Sequence, residues 1–360
     1  MILDRYLATR YLANLATVIT TFLAIFVLVD LFDNIDMFVD KGTPARTVAR
    51  YYVYQIPYIL LLLLPVAALI ACFFGIGGLA AHGEIDAMRA AGISLTRILL
   101  PVLFMGALVS LAASGLAASA VPIGERTARN IEEIEIKGRP QINLRSRANL
   151  FYVGRTGYEY FMSRWDGRNH RMIGVEIKRV AEGEVREHIT AERAEWDGEQ
   201  WVLSNGTDRH FDGTVETLYR KFERLECPEL VERPEDFSTE HRKTRELTLE
   251  ELFERIEIKR RSGEEVAAEL TDLHLRFSFP ISTFVLVLVG APLSARRKKG
   301  GAWLSFTLYV VAAFLFLAAT RFLQTLGEHG TITPVAAAWS ADGTFAILGL
   351  SLLILRQNGR

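Results

Sequence analysis

Motifs that would give this chain catalytic chemistry of its own are absent from its sequence. It has no GxxxxGK(S/T) phosphate-binding loop, no HExxH zinc-binding helix and no GxSxG nucleophile elbow. The two cysteines, Cys72 and Cys227, form no CxxC pair, and the seven histidines have no metal-ligand spacing. We therefore predict a chain that is not an enzyme and carries no metal or cofactor, so ATP hydrolysis would need a separate subunit.

The segment 83–94 carries the most informative short pattern. Glu84, Ala87 and Met88 recur at helical spacing and share one face, and Gly92 can end a helix after two turns. The pattern predicts a short amphipathic helix near 83–92. Two interpretations remain open, an interfacial connector between membrane spans or a coupling helix that docks into another protein. For the second, the candidate coupling residues are Glu84, Ile85, Ala87, Met88 and Arg89.

Charge is strongly segregated along the chain. Of the 83 Asp, Glu, Lys and Arg residues, 60 fall between Glu125 and Arg276, although the net charge of the 360-residue chain is only −1. A nearly neutral chain lacks the positive field that attracts nucleic acid, so we expect no nucleic-acid partner. The segments poor in charge are expected to lie in a membrane.

Six apolar stretches are long enough to cross a bilayer, which takes about 20 residues of helix. Five contain no Asp, Glu, Lys or Arg, namely 11–29, 51–83, 98–124, 277–295 and 300–320. The sixth, 331–355, contains Asp342. Either its helix begins near Trp339, or the carboxylate faces a protein partner or a wet cavity, since a carboxylate facing lipid is costly.

Basic residues in the short loops predict the orientation of the spans. Arg5, Arg10, Arg89 and the run 296–299 fall on one side of a six-span protein, and the short loops on the other side hold fewer basic residues. Both termini are therefore expected in the cytoplasm. The chain would be a multi-pass protein of the bacterial inner (plasma) membrane, with the region between spans 3 and 4 in the periplasm.

The charged region has the period of β-strands. Short runs such as Ile173, Val175 and Ile177 alternate with polar residues, and dipeptides such as Asp166-Gly167 and Asn205-Gly206 supply turns. Many short strands with polar turns are typical of an antiparallel sandwich or jelly roll. We predict an α-helical membrane protein of six transmembrane helices with an all-β, jelly-roll-like periplasmic domain inserted between helices 3 and 4.

A helical period returns before the fourth span. Thr248 with Glu251 forms a capping-box pattern that predicts the start of a connecting helix. The predicted organisation is therefore transmembrane helices 1–3 in residues 1–124, the β domain and its connecting helix in 125–262, and transmembrane helices 4–6 in 263–360.

Several segments resemble the LptF/LptG permease family of lipopolysaccharide export. They are 3–6 (LDRY), 84–94 (EIDAMRAAGIS), Phe279-Pro280 in the fourth span, and 330–334 (GTITP) followed by Trp339. The order of three spans, a β-rich domain and three more spans is also similar to that family. The resemblance covers the whole chain.

The resemblance implies a permease subunit of an ABC transporter that extracts lipopolysaccharide from the inner membrane and passes it to a periplasmic bridge. The implied partners are a paralogous LptF or LptG subunit, LptC-type and LptA-type bridge proteins, and an LptB-type ATPase dimer. That dimer would hold ATP and magnesium and bind the helix near 83–92.

The end of the first span, 29–36, looks more like LptG than LptF. LptG relatives can carry lysines at this end of the helix, where this chain has Asp33, Asp36 and Asp40. Direct phosphate contact from that end is therefore not expected unless divalent cations bridge or the substrate differs.

A lipid substrate needs apolar walls and cations for its anionic head group. The candidate residues of a substrate path are Phe22, Phe26, Phe314 and Phe316 in the first and fifth spans, and Arg276 and Arg321 at the outer ends of the fourth and fifth. These arginines could instead only extend to the membrane interface.

A second candidate site is an apolar groove in the β domain, because exposing acyl chains to water costs about 0.8 kcal/mol per CH₂. Its predicted lining residues are Phe151, Val153, Tyr158, Tyr160 and Met162. The same residues could equally form the ordinary core of a sheet.

Two other classes of function also fit the sequence. An ABC-linked protein could transmit motion to its outer domain without moving lipid, which predicts no lipid in a membrane cavity. A membrane-anchored periplasmic scaffold would need no ATPase, which predicts insensitivity to changes in 83–92.

Overall fold

The computed structural model describes residues 2–138, 146–154, 156–181, 184–213, 215–237, 243–261, 264–295 and 301–358. The run 296–299, used above to predict orientation, lies outside these residues. The chain divides into two compact units. We call Met1–Glu132 with Lys243–Arg360 the membrane unit, and Glu133–Arg242 the β unit. Residues 125–132 and 243–261, assigned above to the β domain, thus belong to the membrane unit.

Eleven α-helices are described. In chain order they are α1 (Ile2–Asp33), α2 (Ile35–Asp40), α3 (Ala45–Ala81), α4 (Glu84–Ala90), α5 (Leu95–Ala118), α6 (Ala120–Asn130), α7 (Pro234–Phe237), α8 (Leu249–Arg261), α9 (Ala267–Ser294), α10 (Gly301–Glu328) and α11 (Pro334–Asn358). Among the described helices, six are long and apolar enough to cross a membrane, namely α1, α3, α5, α9, α10 and α11. This confirms the predicted six spans. A π-helical segment, Ile131–Ile136, follows α6, and a 3₁₀ turn, Thr244–Glu246, precedes α8.

The core of the membrane unit is formed around α3 and α9, the two spans whose apolar segments are most buried. Ala67, Ala68 and Ala71 of α3 are fully buried in one cluster with Val287 and Ala291 of α9. Small side chains at helix contacts allow the backbones to approach closely, which favours packing inside a membrane. The apolar segments of α1, α10 and α11 are the least buried within the chain.

Asp342 has a protein partner inside this unit. Helix α11 begins at Pro334, before Trp339, so the carboxylate lies within the span. Asp342 is 5% exposed, and the Ser282 hydroxyl of α9 donates a hydrogen bond of 2.7 Å to its Oδ1. The second of the two alternatives for this span is therefore the one observed.

The connecting segments are tied to each other by charge. Arg129 of α6 donates to both carboxylate oxygens of Glu246 at 2.9 Å. The predicted capping box is confirmed, because the Thr248 amide donates to Glu251 and the Glu251 amide donates to the Thr248 hydroxyl. These contacts join the two segments that flank the β unit to each other and fix the start of α8.

The β unit contains a six-stranded antiparallel sheet. Its strands are β1 (Ser146–Val153), β2 (Tyr158–Asp166), β3 (Arg171–Ala181), β4 (Glu184–Trp196), β5 (Trp201–Asp212) and β6 (Val215–Cys227), and they are ordered consecutively. This confirms the predicted antiparallel β fold between spans 3 and 4. Within the described strands the connections form a meander rather than the crossed path of a jelly roll. The short turns leave too little chain to cross a neighbouring strand.

One face of the sheet carries an aromatic core. Tyr160, Trp165 and Trp201 are fully buried there. The ring centroid of Phe237, from α7, lies 5.2 Å from that of Tyr160 and 5.7 Å from those of both tryptophans. The Trp201 indole donates a hydrogen bond of 2.7 Å to the Glu232 carbonyl, which satisfies its buried N–H.

Candidate functional site

The predicted coupling helix is α4, and two glycines set its ends. Gly83, at the N-cap, has φ +76°, and Gly92, after the last turn, has φ +87°. A side chain at either position would strain the backbone, because L-residues rarely adopt positive φ. Glu84 and Asp86 lie in the first turn and Arg89 in the last, which is the favourable order for the helix dipole.

Helix α4 is anchored to the membrane unit by its apolar side chains. Ile85 is 1% exposed and belongs to one core cluster with Leu7 of α1 and Ile98 of α5. Met88 is half-buried against the same cluster. The residues left exposed are Asp86, Ala87, Arg89, Ala90 and Ala91. The structure therefore separates the predicted coupling residues into an anchoring pair, Ile85 and Met88, and an open face around Ala87 and Arg89.

Glu84 is held by the first helix of its own chain. The Tyr6 hydroxyl donates a hydrogen bond of 3.0 Å to Glu84 Oε2, and Arg10 donates to the Tyr6 oxygen at 2.8 Å. The Arg10 guanidinium also lies 4.0 Å from Glu84 Oε1. The Glu84 side chain remains 40% exposed, so its carboxylate can still meet a partner. Neither Tyr6 nor Arg10 is predicted from the sequence as a partner of Glu84, although Tyr6 belongs to the LDRY segment.

A second contact ties α1 to the helix that follows α4. Arg97 donates to both carboxylate oxygens of Asp4, at 2.5 and 3.0 Å. Two-point pairing of arginine with a carboxylate fixes orientation as well as distance. The first residues of α1 therefore contact both α4, through Tyr6 and Glu84, and the start of α5, through Asp4 and Arg97.

A cavity of about 430 Å³ lies in the membrane unit between α3, α9 and α10. Both predicted arginines, Arg276 and Arg321, line it. Two further cations, Lys243 and Arg245, line the same cavity and were not predicted. The apolar part of the lining includes Leu61, Leu62, Leu275 and Phe279. The cavity therefore combines cationic and apolar surface, as an anionic amphiphile requires.

The two predicted arginines differ in their surroundings. Arg276 donates through Nη2 to the Thr244 carbonyl, whereas its Nη1 is buried without a hydrogen-bond partner. Arg321 is exposed, and its Nη1 donates to Gln324 Oε1 at 3.0 Å. A buried guanidinium N–H without a partner is costly, so Nη1 of Arg276 is a ready donor to an anionic ligand.

Arg245 is oriented by Tyr58 and Glu125. Its Nε lies 2.8 Å from Glu125 Oε2, its Nη1 donates to the Tyr58 hydroxyl at 3.1 Å, and the guanidinium lies 5.0 Å from the Tyr58 ring centre. Burial raises the pKa of Glu125 above its ordinary value, and the charge of Arg245 opposes this shift. Carboxylates of Asp272 and Glu328 also line the cavity, so its charges are mixed.

The four predicted aromatic residues of the path are not brought together. Phe316 is fully buried against Phe345 of α11, with ring centroids 5.1 Å apart. Phe22 and Phe26 are half-buried on α1, and Phe314 of α10 is 70% exposed. None of the four is among the described residues that line the cavity. These residues were predicted from their aromatic type and their place in the first and fifth spans, which does not separate the buried side of α10 from its exposed side.

The five predicted groove residues divide between the two faces of the sheet. Tyr158, Tyr160 and Met162 are at most 3% exposed and belong to the aromatic core described above. Burial and the carboxylate of Glu232, to which its hydroxyl donates, raise the pKa of Tyr160. Val153 is half-buried, and Phe151 is 51% exposed opposite Phe161 of β2. The core alternative accounts for the three buried residues, and a groove formed by all five stays a prediction.

Comparison with known proteins decides the family. A sequence model of the family described as "Lipopolysaccharide export system permease LptF/LptG" matches residues 5–355. The chain belongs to this family.

Curated relatives of this LptF/LptG family member carry the name LptF. The lipopolysaccharide export system permease proteins LptF of Escherichia coli K12, Escherichia coli O157:H7 and Shigella flexneri are each 21% identical to it. The alignments cover 98% of this chain and 94% of each relative. The predicted preference for LptG over LptF is not resolved by these matches.

Family membership and the six apolar helices establish the coarse function. The LptF/LptG family member is a multi-pass membrane protein and a permease subunit of the lipopolysaccharide export system. The segment containing α4 and the cavity residues all lie within the range that the family model matches.

Proposed function

We propose that this chain extracts lipopolysaccharide from the inner membrane and passes it toward a periplasmic bridge. The observation that carries the proposal is the amphiphilic cavity of the membrane unit, with its unpartnered Nη1 on Arg276. Lipopolysaccharide has anionic phosphates on its head group and several acyl chains. Guanidinium groups recognise phosphate by charge-assisted hydrogen bonds, and apolar side chains take the upper part of the acyl chains.

The size of the cavity limits what it can hold. A volume of about 430 Å³ is that of an ordinary ligand pocket, so it takes part of a head group and not a whole glycolipid. The acyl chains then lie along lipid-facing helix surfaces. Exposed side chains such as Leu28 and Phe32 of α1, and Phe314 and Phe322 of α10, supply such surfaces. A paralogous LptF or LptG subunit facing the same helices would close the path.

The energy for extraction would enter through α4. We expect an LptB-type ATPase dimer, holding ATP and magnesium, to dock on the exposed face around Ala87. Ile85 fixes α4 to a core that includes residues of α1 and α5, so displacement of α4 is transmitted to both helices. A seven-residue helix has little stability alone, and these anchors hold its shape when no partner is bound.

In this proposal both termini are cytoplasmic and the β unit is periplasmic. Edge strands β1 and β6 each pair with one neighbour among the described strands, which leaves backbone groups for a further strand. LptC-type and LptA-type bridge proteins are the expected partners of the β unit. Lipopolysaccharide would leave the membrane unit and continue along this bridge.

The proposal is tested by photo-crosslinking in proteoliposomes. The complete complex, with its partner permease and ATPase, is reconstituted with lipopolysaccharide and phospholipid, with a photoreactive residue at either Leu275 or Leu111. Leu275 lines the cavity, whereas Leu111 is 69% exposed on α5 and is the matched control.

We expect lipopolysaccharide to be captured at Leu275 and mainly phospholipid at Leu111. Arg276→Gln should reduce capture at Leu275, because it removes the cation that faces the head group. Equal capture of lipopolysaccharide at both positions, or none at Leu275, would contradict the proposal. Absence of lipid from the cavity during ATP turnover would favour transmission of motion instead.

A further inference from the structure

We propose that the β unit binds a zinc ion between Glu187, Asp208 and His210. The proposal concerns a site apart from the cavity and from α4, and it does not depend on the proposed transport function. The proposal departs from the expectation, drawn from sequence spacing alone, that the chain has no metal site.

The strand register brings the three side chains together. Glu187 of β4 is paired directly with His210 of β5, and Asp208 precedes His210 by two residues. Residues two apart on a strand point to the same face, and directly paired residues share a face across the ladder. One potential ligand atom from each of the three lies within 4.8 Å of the others.

Asp208 is the residue that indicates a missing ligand. It is 3% exposed, and its Oδ2 accepts a hydrogen bond of 2.9 Å from Arg220 Nη2. Its Oδ1 is buried without any hydrogen-bond partner. A buried carboxylate oxygen without a hydrogen-bond partner is costly, so this oxygen needs an explanation.

The position of His210 gives that explanation. Its Nε2 lies 3.1 Å from Asp208 Oδ1, yet the two atoms do not form a hydrogen bond. A metal bound to both atoms would place them at this separation. Two ligand atoms about 2.0 Å from a tetrahedral zinc ion are about 3.3 Å apart.

The surroundings provide room and orientation for an ion. A cavity of about 250 Å³ is lined by all three residues and by Cys227. The Tyr158 hydroxyl lies 3.0 Å from Glu187 Oε2 and 3.2 Å from Glu229 Oε2, so it can donate to either carboxylate, and Arg220 orients Asp208 from the opposite oxygen. Hydrogen bonds to ligand carboxylates are a regular feature of metal sites, where they fix the ligand geometry.

The donor set selects the metal. One imidazole nitrogen and two carboxylate oxygens suit zinc, which is commonly held by three protein ligands with water in the fourth position. Calcium and magnesium prefer six or more oxygen ligands, so they should bind poorly here. Two carboxylates also offset the charge of the ion.

The test is zinc binding by the full-length chain in detergent, freed of any affinity tag. Metal is removed with a chelator, zinc chloride is titrated against a chromophoric chelator, and bound zinc is counted by mass spectrometry. We expect one zinc per chain, with no competition from calcium. His210→Gln should weaken binding at least 100-fold, and Tyr158→Phe about 10-fold.

His188→Gln is the matched control, since His188 also lies beside a carboxylate, Glu176 Oε1 at 2.9 Å, but outside the cluster. It should bind zinc as the parent does. His210 is 41% exposed, so its substitution should leave the fold intact, and size-exclusion chromatography with thermal unfolding verifies this. Zinc should raise the unfolding temperature of the parent and not of His210→Gln.

Two results would overturn the proposal. The first is the absence of stoichiometric zinc in the folded parent, and the second is equal zinc affinity in the parent and His210→Gln. Either would leave His210 as a simple charge partner of Asp208.

Discussion

Glu84 is the residue on which coupling to an ATPase is most sharply tested. Its carboxylate is held by Tyr6 and lies near Arg10, while 40% of the side chain remains exposed. If it only faced water, its removal would change the free energy of unfolding within about 0.5 kcal/mol. The hydrogen bond to α1 gives it a defined orientation, from which it can accept hydrogen bonds from a basic partner surface.

We predict that Glu84→Ala lowers ATPase retention or the amount of lipopolysaccharide released per ATP hydrolysed. Tyr6→Phe should act in the same direction and more weakly, because it removes only the hydroxyl that orients Glu84. Both are measured on purified complexes by subunit stoichiometry, ATP turnover and lipid release. Glu199→Ala is the control, as Glu199 is an exposed carboxylate in the turn between β4 and β5, outside α4.

The exposed face of α4 offers a second variant that tests the same coupling role. Ala87→Phe adds bulk where docking is expected without disturbing the buried anchor Ile85. If complexes with Glu84→Ala and with Ala87→Phe both keep the ATPase and export at the parental rate, α4 has no coupling role.

Cys227 is predicted to be chemically inert in the folded protein. It is 8% exposed, and burial raises the pKa of its thiol to about 12. A free thiol has a pKa of about 8.5, so at pH 8 the thiolate fraction is lower on the order of a thousandfold. Timed alkylation with iodoacetamide and peptide mass spectrometry should find slow modification that becomes fast in denaturant. Rapid modification without denaturant would mean that this end of the sheet opens.

At the scale of elements, the contact between α5 and α9 depends on a small residue. A Cβ built on Gly106 would lie 2.9 to 3.1 Å from three side-chain atoms of Val287. Valine is stiff at χ1, so the neighbour cannot turn away at low cost. A Cβ on Gly115 of the same helix would meet nothing within 4 Å.

We predict that Gly106→Ala destabilises the membrane unit by about 1–3 kcal/mol through overpacking. Gly115→Ala should leave stability unchanged or raise it, because alanine favours helix by about 1 kcal/mol relative to glycine. Thermal unfolding of the two detergent-solubilised variants, followed by size-exclusion chromatography, compares them directly. Equal unfolding temperatures would mean that α5 and α9 do not meet at Gly106.

For the whole molecule, the orientation across the membrane is the testable property. Arg5 lies near the N-terminus and Glu199 in the turn between β4 and β5, and both are exposed. We predict that Glu199→Cys is labelled by a membrane-impermeant maleimide in intact cells. Arg5→Cys should be labelled only after the inner membrane is permeabilised. The parent chain is the control, since Cys72 and Cys227 are both buried. Labelling of both variants in sealed cells would refute six spans with cytoplasmic termini.

Local patterns in the sequence were sufficient for the six spans and for the existence of the β unit, but not for the strand topology, which is a meander and not a jelly roll. Six spans follow from unbroken apolar stretches, because a helix in lipid needs apolar side chains over its whole length. The strands of the β unit follow from the alternation of apolar and polar residues and from the turn dipeptides. The family follows from short motifs in a fixed order. Each of these properties depends on residues that are close together in the chain, so the sequence contains it directly.

Packing and register decided which side chains meet, and no local pattern contained that information. Tyr6 reaches Glu84 across 78 residues, and Arg245 joins Arg276 and Arg321 at one cavity through the packing of separate helices. Register places His210 opposite Glu187, because a shift of one residue would turn His210 to the other face. The sequence by itself thus determined the elements and the family. Only the tertiary structure decided which side chains meet at each site, because those side chains lie on different elements whose contacts depend on helix packing and strand pairing.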